Sequence, residues 1–123
     1  MVGVGTDIVE IARIAAVLQR YRERFLQRCF TPGEIALARS RQRGEAAALA
    51  ARWAAKEAFL KALGRPLGSV AMREIEVIQG RNERPVLSLS GRAATALRDA
   101  GGRKVHLSLS HERDYATAVV LVE

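Results

Sequence analysis

Two hydrophobic periods alternate along the chain, and each switch between them marks an element. Residues 2–11 run with a period of two: Val2, Val4, Thr6 and Ile8 share one face of a predicted strand, while Gly3, Gly5, Asp7 and Val9 share the other. From Ile11 to about Phe25 the period becomes helical, with Ile11, Ile14, Ala15 and Leu18 on one apolar side. Thr31-Pro32-Gly33-Glu34 has the form of a capping box with proline at the first helical position, opening a short helix to about Ser40. A basic turn at 41–44 leads into a long helix over 45–63, rich in alanine and closed by Gly64 at its C-cap. After a loop at 65–69, two alternating segments, 74–79 and 85–90, flank a polar stretch at 80–84 and predict a β-hairpin. Ser90 is placed to cap a short helix over 91–100, ended by Gly101-Gly102. Strands at 104–111 and 115–122 return antiparallel across the turn 112–114. No repeat or linker divides these elements. They predict a single domain, 1–123, of the α+β class, with helices packed on a small, mainly antiparallel sheet.

Composition narrows the partners. The chain has 123 residues, 49% of them hydrophobic, enough for a core of its own. No apolar run approaches the ~20 residues of a membrane span. No basic leader with a cleavage site opens the chain, and Cys29 is its one cysteine, so neither a disulfide framework nor a cysteine-rich zinc site is expected. These features predict a cytoplasmic protein with no membrane contact. A net charge of +7 predicts an anionic partner. Aromatics at 5% are too few to interleave with the basic residues as stacking platforms, which weighs against a single-stranded nucleic-acid module. Beside the apolar side of the first helix lies a stripe of Arg13, Val17, Arg20, Tyr21, Arg24 and Arg28, with Glu23 the one acid among them. Such a stripe suits an acidic protein or phosphate; the plainer alternative is a solvated face.

The long helix carries the candidate chemistry. Trp53, Glu57 and Lys61 recur every four residues on one face. The chain has three lysines against seventeen arginines, and two of the three, Lys56 and Lys61, flank Glu57. Lysine is a compact cation whose proton can be moved; arginine is always charged. Asp7 is the second acid. The glycines beside it leave open space, either for a ligand or neighbouring chain or for tight packing against the long helix. Two carboxylates from separate elements, Asp7 and Glu57, suit Mg²⁺, which keeps several waters and takes further ligands from substrate phosphates. Lys61 is placed to neutralise or protonate a phosphate leaving oxygen, and Ser110-His111 to meet another phosphate or a ribose. His111 also reads as an ordinary turn residue, and His106 as structural. A metal-dependent nuclease uses similar ingredients, but there the Glu and Lys alternate on a strand, whereas here they lie four apart on a helix.

Three stretches carry a resemblance: Gly3-Val4-Gly5-Thr6-Asp7-Ile8-Val9-Glu10, Arg52-Trp53-Ala54-Ala55-Lys56-Glu57-Ala58-Phe59-Leu60-Lys61-Ala62-Leu63-Gly64, and Leu109-Ser110-His111-Glu112. In this order and spacing the chain resembles the 4′-phosphopantetheinyl transferases of the short bacterial type, the holo-[acyl-carrier-protein] synthases. The resemblance implies that fold and the transfer of 4′-phosphopantetheine from coenzyme A to a serine of apo-acyl carrier protein, releasing adenosine 3′,5′-bisphosphate. It implies Mg²⁺ held by Asp7 and Glu57, with Glu57 also helping to activate the serine and Lys61 meeting the charge on the departing phosphate. Arg52, Lys56, Gly64, Ser110 and His111 become contacts for coenzyme A. Arg13, Arg20, Arg24 and Arg28 become the docking face for the acidic carrier protein of fatty acid or polyketide synthesis. The resemblance further implies a homotrimer with active sites between subunits.

Overall fold

The computed structural model describes residues 2–41 and 44–123; the expected basic turn at 41–44 lies partly outside them. Three antiparallel strands form the main sheet: β1 (Gly3–Glu10), β4 (Val105–Glu112) and β5 (Tyr115–Val122), in the order β1-β5-β4. The hairpin β2 (Ile75–Ile78) and β3 (Val86–Leu89) is a separate two-stranded sheet. Four helices, α1 (Ile11–Cys29), α2 (Pro32–Arg39), α3 (Glu45–Ala62) and α4 (Gly91–Asp99), complete the α+β domain, with a 3₁₀ turn at Met72–Glu74.

The long helix α3 is the centre of the core. Leu49, Ala50, Ala54, Ala55, Ala58 and Phe59 are all fully buried. From the sheet, Ala116, Ala118, Val120 and Val122 of β5 face inward and are buried as well. Small side chains on both surfaces bring backbone close to backbone. The approach is tightest at β1: a Cβ on Gly3 would strike the carbonyl oxygen of Ala62, and one on Gly5 that of Ala58. The two glycines therefore clear space for α3, and not for a ligand or a second chain. Alternation then exposes the opposite face, where Val4 is 59% and Ile8 63% exposed.

Helix ends follow the local chemistry at the start of α2 and the end of α3, but not at the start of α4. At α2 the capping box is complete: the Glu34 N–H donates to Thr31 Oγ1 (3.2 Å) and the Thr31 N–H to Glu34 Oε1 (3.0 Å). At the end of α3, Gly64 adopts φ +67°, while the Arg65 N–H reaches the Leu60 carbonyl (2.9 Å) and the Gly64 N–H that of Lys61 (3.1 Å). These two bonds form a Schellman motif, which glycine favours. Ser90, expected to cap α4, makes no side-chain cap; Glu74 Oε2 accepts the Arg92 N–H at 2.7 Å in its place.

Helix α1 departs from expectation twice. It extends to Cys29, and Tyr21 leaves helical geometry at φ −135°, ψ 35°. No proline or glycine lies there to signal a break. Ile14 and Leu18 are buried before the break, Leu26 and the following Phe30 after it. The arginine stripe is therefore two short faces: Arg13 and Arg20 precede the break, Arg24 and Arg28 follow it.

Gly5→Val should cost about 1–3 kcal/mol through overpacking against backbone that has nowhere to move. Thermal unfolding should show the melting temperature falling by several degrees or more. An unchanged melting temperature would mean that β1 and α3 are free to separate.

Candidate functional site

Strand alternation puts Asp7 on the inner side of β1, next to the face of α3 that carries Trp53, Glu57 and Lys61. Lys61 Nζ donates to Asp7 Oδ1 at 2.9 Å and to the Thr6 carbonyl at 3.1 Å. The Asp7 side chain is only 10% exposed, and its other oxygen, Oδ2, is buried without a hydrogen-bond partner. The Glu57 carboxyl is held above the ordinary carboxylate range, first by burial, then by the neighbouring Asp7 carboxylate and by a hydrogen bond to it that a protonated Glu57 makes; the Lys61 ammonium and the Trp53 indole N–H act in the opposite sense. The hydrogen bond to Asp7 raises the Lys61 pKa. Two acids thus crowd one ammonium, and a buried oxygen is left over. Hard oxygen donors in excess of positive charge are what a divalent cation such as Mg²⁺ would satisfy, so the residues fit that ion. Glu57, Leu60, Lys61, Arg65 and Leu67 line the shallow recess beside them. Gly64, exposed at the end of α3, lies between Lys61 and Arg65 in sequence.

A second site lies toward the start of α3, in a cavity of about 280 Å³ bounded by the hairpin and the end of β4. Arg41, Arg52, Gln79, Ser110 and His111 supply its polar lining, and alanines of α3 its floor. Arg52 is buried; its Nη2 donates to Gln79 Oε1 (3.0 Å) and its Nη1 to the Ala48 carbonyl (3.2 Å), leaving Nε buried and unpartnered. Burial, and then Arg41, lower the Arg52 pKa. The α3 N-terminus, at the rim, has no side-chain cap. Two guanidiniums with a helix N-terminus make a seat for a phosphate-bearing ligand.

The sequence-predicted residues thus fall into two groups: Asp7, Glu57 and Lys61 meet at the acidic site, and Arg52, Ser110 and His111 line the basic cavity. Lys56 joins neither, which corrects the expectation that it contacts coenzyme A. It is fully buried, and its ammonium already donates to Glu34 Oε1 (2.8 Å) and to the carbonyls of Met72 (3.0 Å) and Ile75 (2.6 Å). Arg41, Arg65 and Gln79 were not singled out by sequence; an arginine in a turn and a glutamine at a strand end carry no signal of what they face. On α1, Arg13, Arg20, Arg24 and Arg28 are all exposed, and none is ion-paired among the described residues, unlike Arg22, which pairs with Glu45. The Arg20 guanidinium lies 5.6 Å from the centre of the exposed Tyr21 ring.

Residues 3–120 match the family model of the 4′-phosphopantetheinyl transferase superfamily. The chain is similar to the holo-[acyl-carrier-protein] synthase of Treponema denticola, 42% identical over 123 residues that cover 100% of this chain and 98% of that protein. It is 46% identical to that of Paramagnetospirillum magneticum, over 100% of this chain and 96% of that one. Among solved structures it superposes on the Neisseria meningitidis holo-[acyl-carrier-protein] synthase with a TM-score of 0.88 at 33% identity, covering 100% of this chain and 98% of that one. The Helicobacter pylori enzyme in complex with coenzyme A gives 0.84 at 30% identity, over 98% and 99% of the two chains.

The raised Glu57 pKa has a definite sign. The folded state holds this proton more tightly than the unfolded chain, so the group contributes stability at low pH that is lost as pH rises from the ordinary carboxylate value through the raised one. Asp7→Asn removes the like charge and frees Lys61, and both effects should bring the Glu57 midpoint down in a carboxyl NMR titration. A midpoint that stays where it was would assign the whole shift to burial.

Proposed function

Since the chain belongs to the 4′-phosphopantetheinyl transferase superfamily, we propose that it transfers the 4′-phosphopantetheine of coenzyme A to a serine of apo-acyl carrier protein, as a holo-[acyl-carrier-protein] synthase. The observation that carries this reading is the orphaned Asp7 Oδ2 beside Glu57 and Lys61. It is a preformed demand for a cation at the place where a pyrophosphate is to be cleaved. Mg²⁺ held by Asp7 and Glu57 would supply charge neutralisation to that pyrophosphate.

The chain's own groups account for the rest. The serine oxygen attacks the phosphorus that bears pantetheine; the bond to the bridging oxygen breaks, and adenosine 3′,5′-bisphosphate leaves. Glu57 takes the serine proton directly or through a water. Lys61 is already fixed by Asp7 and Thr6, and it meets the charge on the departing phosphate. Arg52, Ser110 and His111, with Arg41, hold the phosphates of the adenosine end, and Gly64 leaves the backbone near Lys61 uncovered. The exposed arginines of α1, Arg13, Arg20, Arg24 and Arg28, receive the acidic carrier protein, steering it at long range.

We propose a homotrimer with sites between subunits, a reading that two features support. At 3.6 residues per turn, positions 52 and 57 of α3 point about 140° apart. The acidic recess and the basic cavity accordingly share no lining residue, and a coenzyme A that engages both draws them from different copies. The outer face of the main sheet offers the contact. Val4, Ile8, Tyr115 and Val119 are exposed there, at or near the register positions that pair β1 with β5.

Incubation of apo-carrier protein with coenzyme A, Mg²⁺ and this chain should add one phosphopantetheine by mass, and Glu57→Ala should abolish the addition while leaving the protein folded. An unmodified carrier under these conditions would defeat the reading. Reversing Arg13, Arg20, Arg24 and Arg28 to Glu should raise the KM for carrier protein more than that for coenzyme A, most strongly at low salt. Equal KM values at low salt would reduce these arginines to a solvated face. For the shared site, Arg41→Glu and Glu57→Ala are each impaired, yet mixing them under subunit exchange should restore activity. Sedimentation as a 13.4 kDa monomer under assay conditions would refute it.

A further inference from the structure

Lys56 and Glu34 form a fully buried ion pair, both side chains 0% exposed, outside both sites described above. Such a pair costs desolvation and is retained only where its hydrogen bonds are complete. Here they are. Three acceptors surround the Lys56 ammonium: Glu34 Oε1 and the carbonyls of Met72 and Ile75. Glu34 in turn accepts the N–H of Thr31 through Oε1 and that of Val77 through Oε2 (2.9 Å). One ion pair therefore ties together α3, the start of α2, the 3₁₀ turn and β2.

The hairpin needs such a tie, because no backbone ladder joins it to the main sheet. Its attachment to α3 is apolar through Ile75 and Val77, and polar through two cations one helical turn apart. Lys56 holds the beginning of β2, and Arg52 holds Gln79, just past its end. Gln79 and Pro85, at the two ends of the hairpin turn, are walls of the basic cavity.

We propose that Lys56 and Glu34 are positioning residues for coenzyme A: their buried pair fixes the hairpin on α3 and so sets the width of the cavity, without either side chain touching the ligand. The proposal rests on the reading of that cavity as the coenzyme A site. It assigns the lysine beside Glu57 to binding geometry and leaves the chemical step to Asp7, Glu57 and Lys61.

The test uses the full-length protein and coenzyme A itself. In Lys56→Met, calorimetric affinity for coenzyme A should weaken about ten- to a hundredfold, the penalty of a misplaced wall. Turnover at saturating coenzyme A should change far less. Amide exchange at Val77 should accelerate, while that at Ala118 in β5 stays as in the wild type. The double variant Lys56→Met, Glu34→Gln removes the stranded charge and keeps an acceptor for Val77, so it should recover much of the lost affinity. A direct contact between Lys56 and ligand predicts no recovery, and that result would overturn the proposal. So would wild-type affinity in a folded Lys56→Met. If Lys56→Met does not melt cooperatively, Glu34→Gln alone, which keeps size and hydrogen bonding, should still loosen Val77 and weaken coenzyme A; loosening with unchanged affinity overturns the idea equally. Wild-type protein that fails to bind coenzyme A defeats the functional reading itself, and is seen before any variant is made.

Discussion

Backbone of β1 lies directly on backbone of α3, and most of the molecule's chemistry depends on that approach. Gly3 and Gly5 leave no side chain between the strand and the carbonyls of Ala62 and Ala58. Two residues further along the same inner face, the strand has to carry a side chain, and it is Asp7. A larger separation would leave its carboxylate in water. At this separation it is nearly buried, one oxygen taken by Lys61 and the other without a partner unless Glu57 is protonated. The crowding of the acidic site is thus a packing consequence. Close layers force two carboxylates together, the low polarity between them makes the crowding felt, and an ion that accepts oxygen ligands is the natural relief.

Much of this was legible in the order of residues, and the unread parts share a cause. Period-two alternation placed Asp7 on a defined face, and fourfold spacing put Glu57 above Lys61; both are local rules, and both hold in the structure. The glycines of β1 were ambiguous because what they make room for lies more than fifty positions away in the chain. Lys56 was noticed for the right reason, a lysine where arginine was expected, but given the wrong environment. A compact ammonium suits three converging buried acceptors as well as it suits a phosphate, and its acidic partner is 22 residues distant. Glu34 was read only as half of a capping box. It is that, and its second oxygen is spent on β2, the strand that ends next to the basic cavity.

The two sites also illustrate how a small domain keeps opposite charges apart. A chain of 123 residues has one layer of helix to build on, and α3 presents different side chains in every direction. One direction gathers the acids, and another carries Arg52 and Lys56, one turn apart, which both hold the hairpin. Opposite charges are kept apart by the helix itself, so neither site neutralises the other. Each keeps an unmet electrostatic demand, Asp7 Oδ2 in one and Arg52 Nε in the other.

The break at Tyr21 divides α1 into two short levers with separate footings. Ile14 and Leu18 seat the first; Leu26, Phe25 against Trp53, and the Arg22–Glu45 pair seat the second. A straight helix transmits a shift at one end to the other, whereas this one does not have to. The exposed positions after the break therefore face a different direction from those before it. For an engineer, that makes the exposed positions of 22–29 a surface to be redesigned separately from the one before the break, provided Leu26 and Phe25 keep their places.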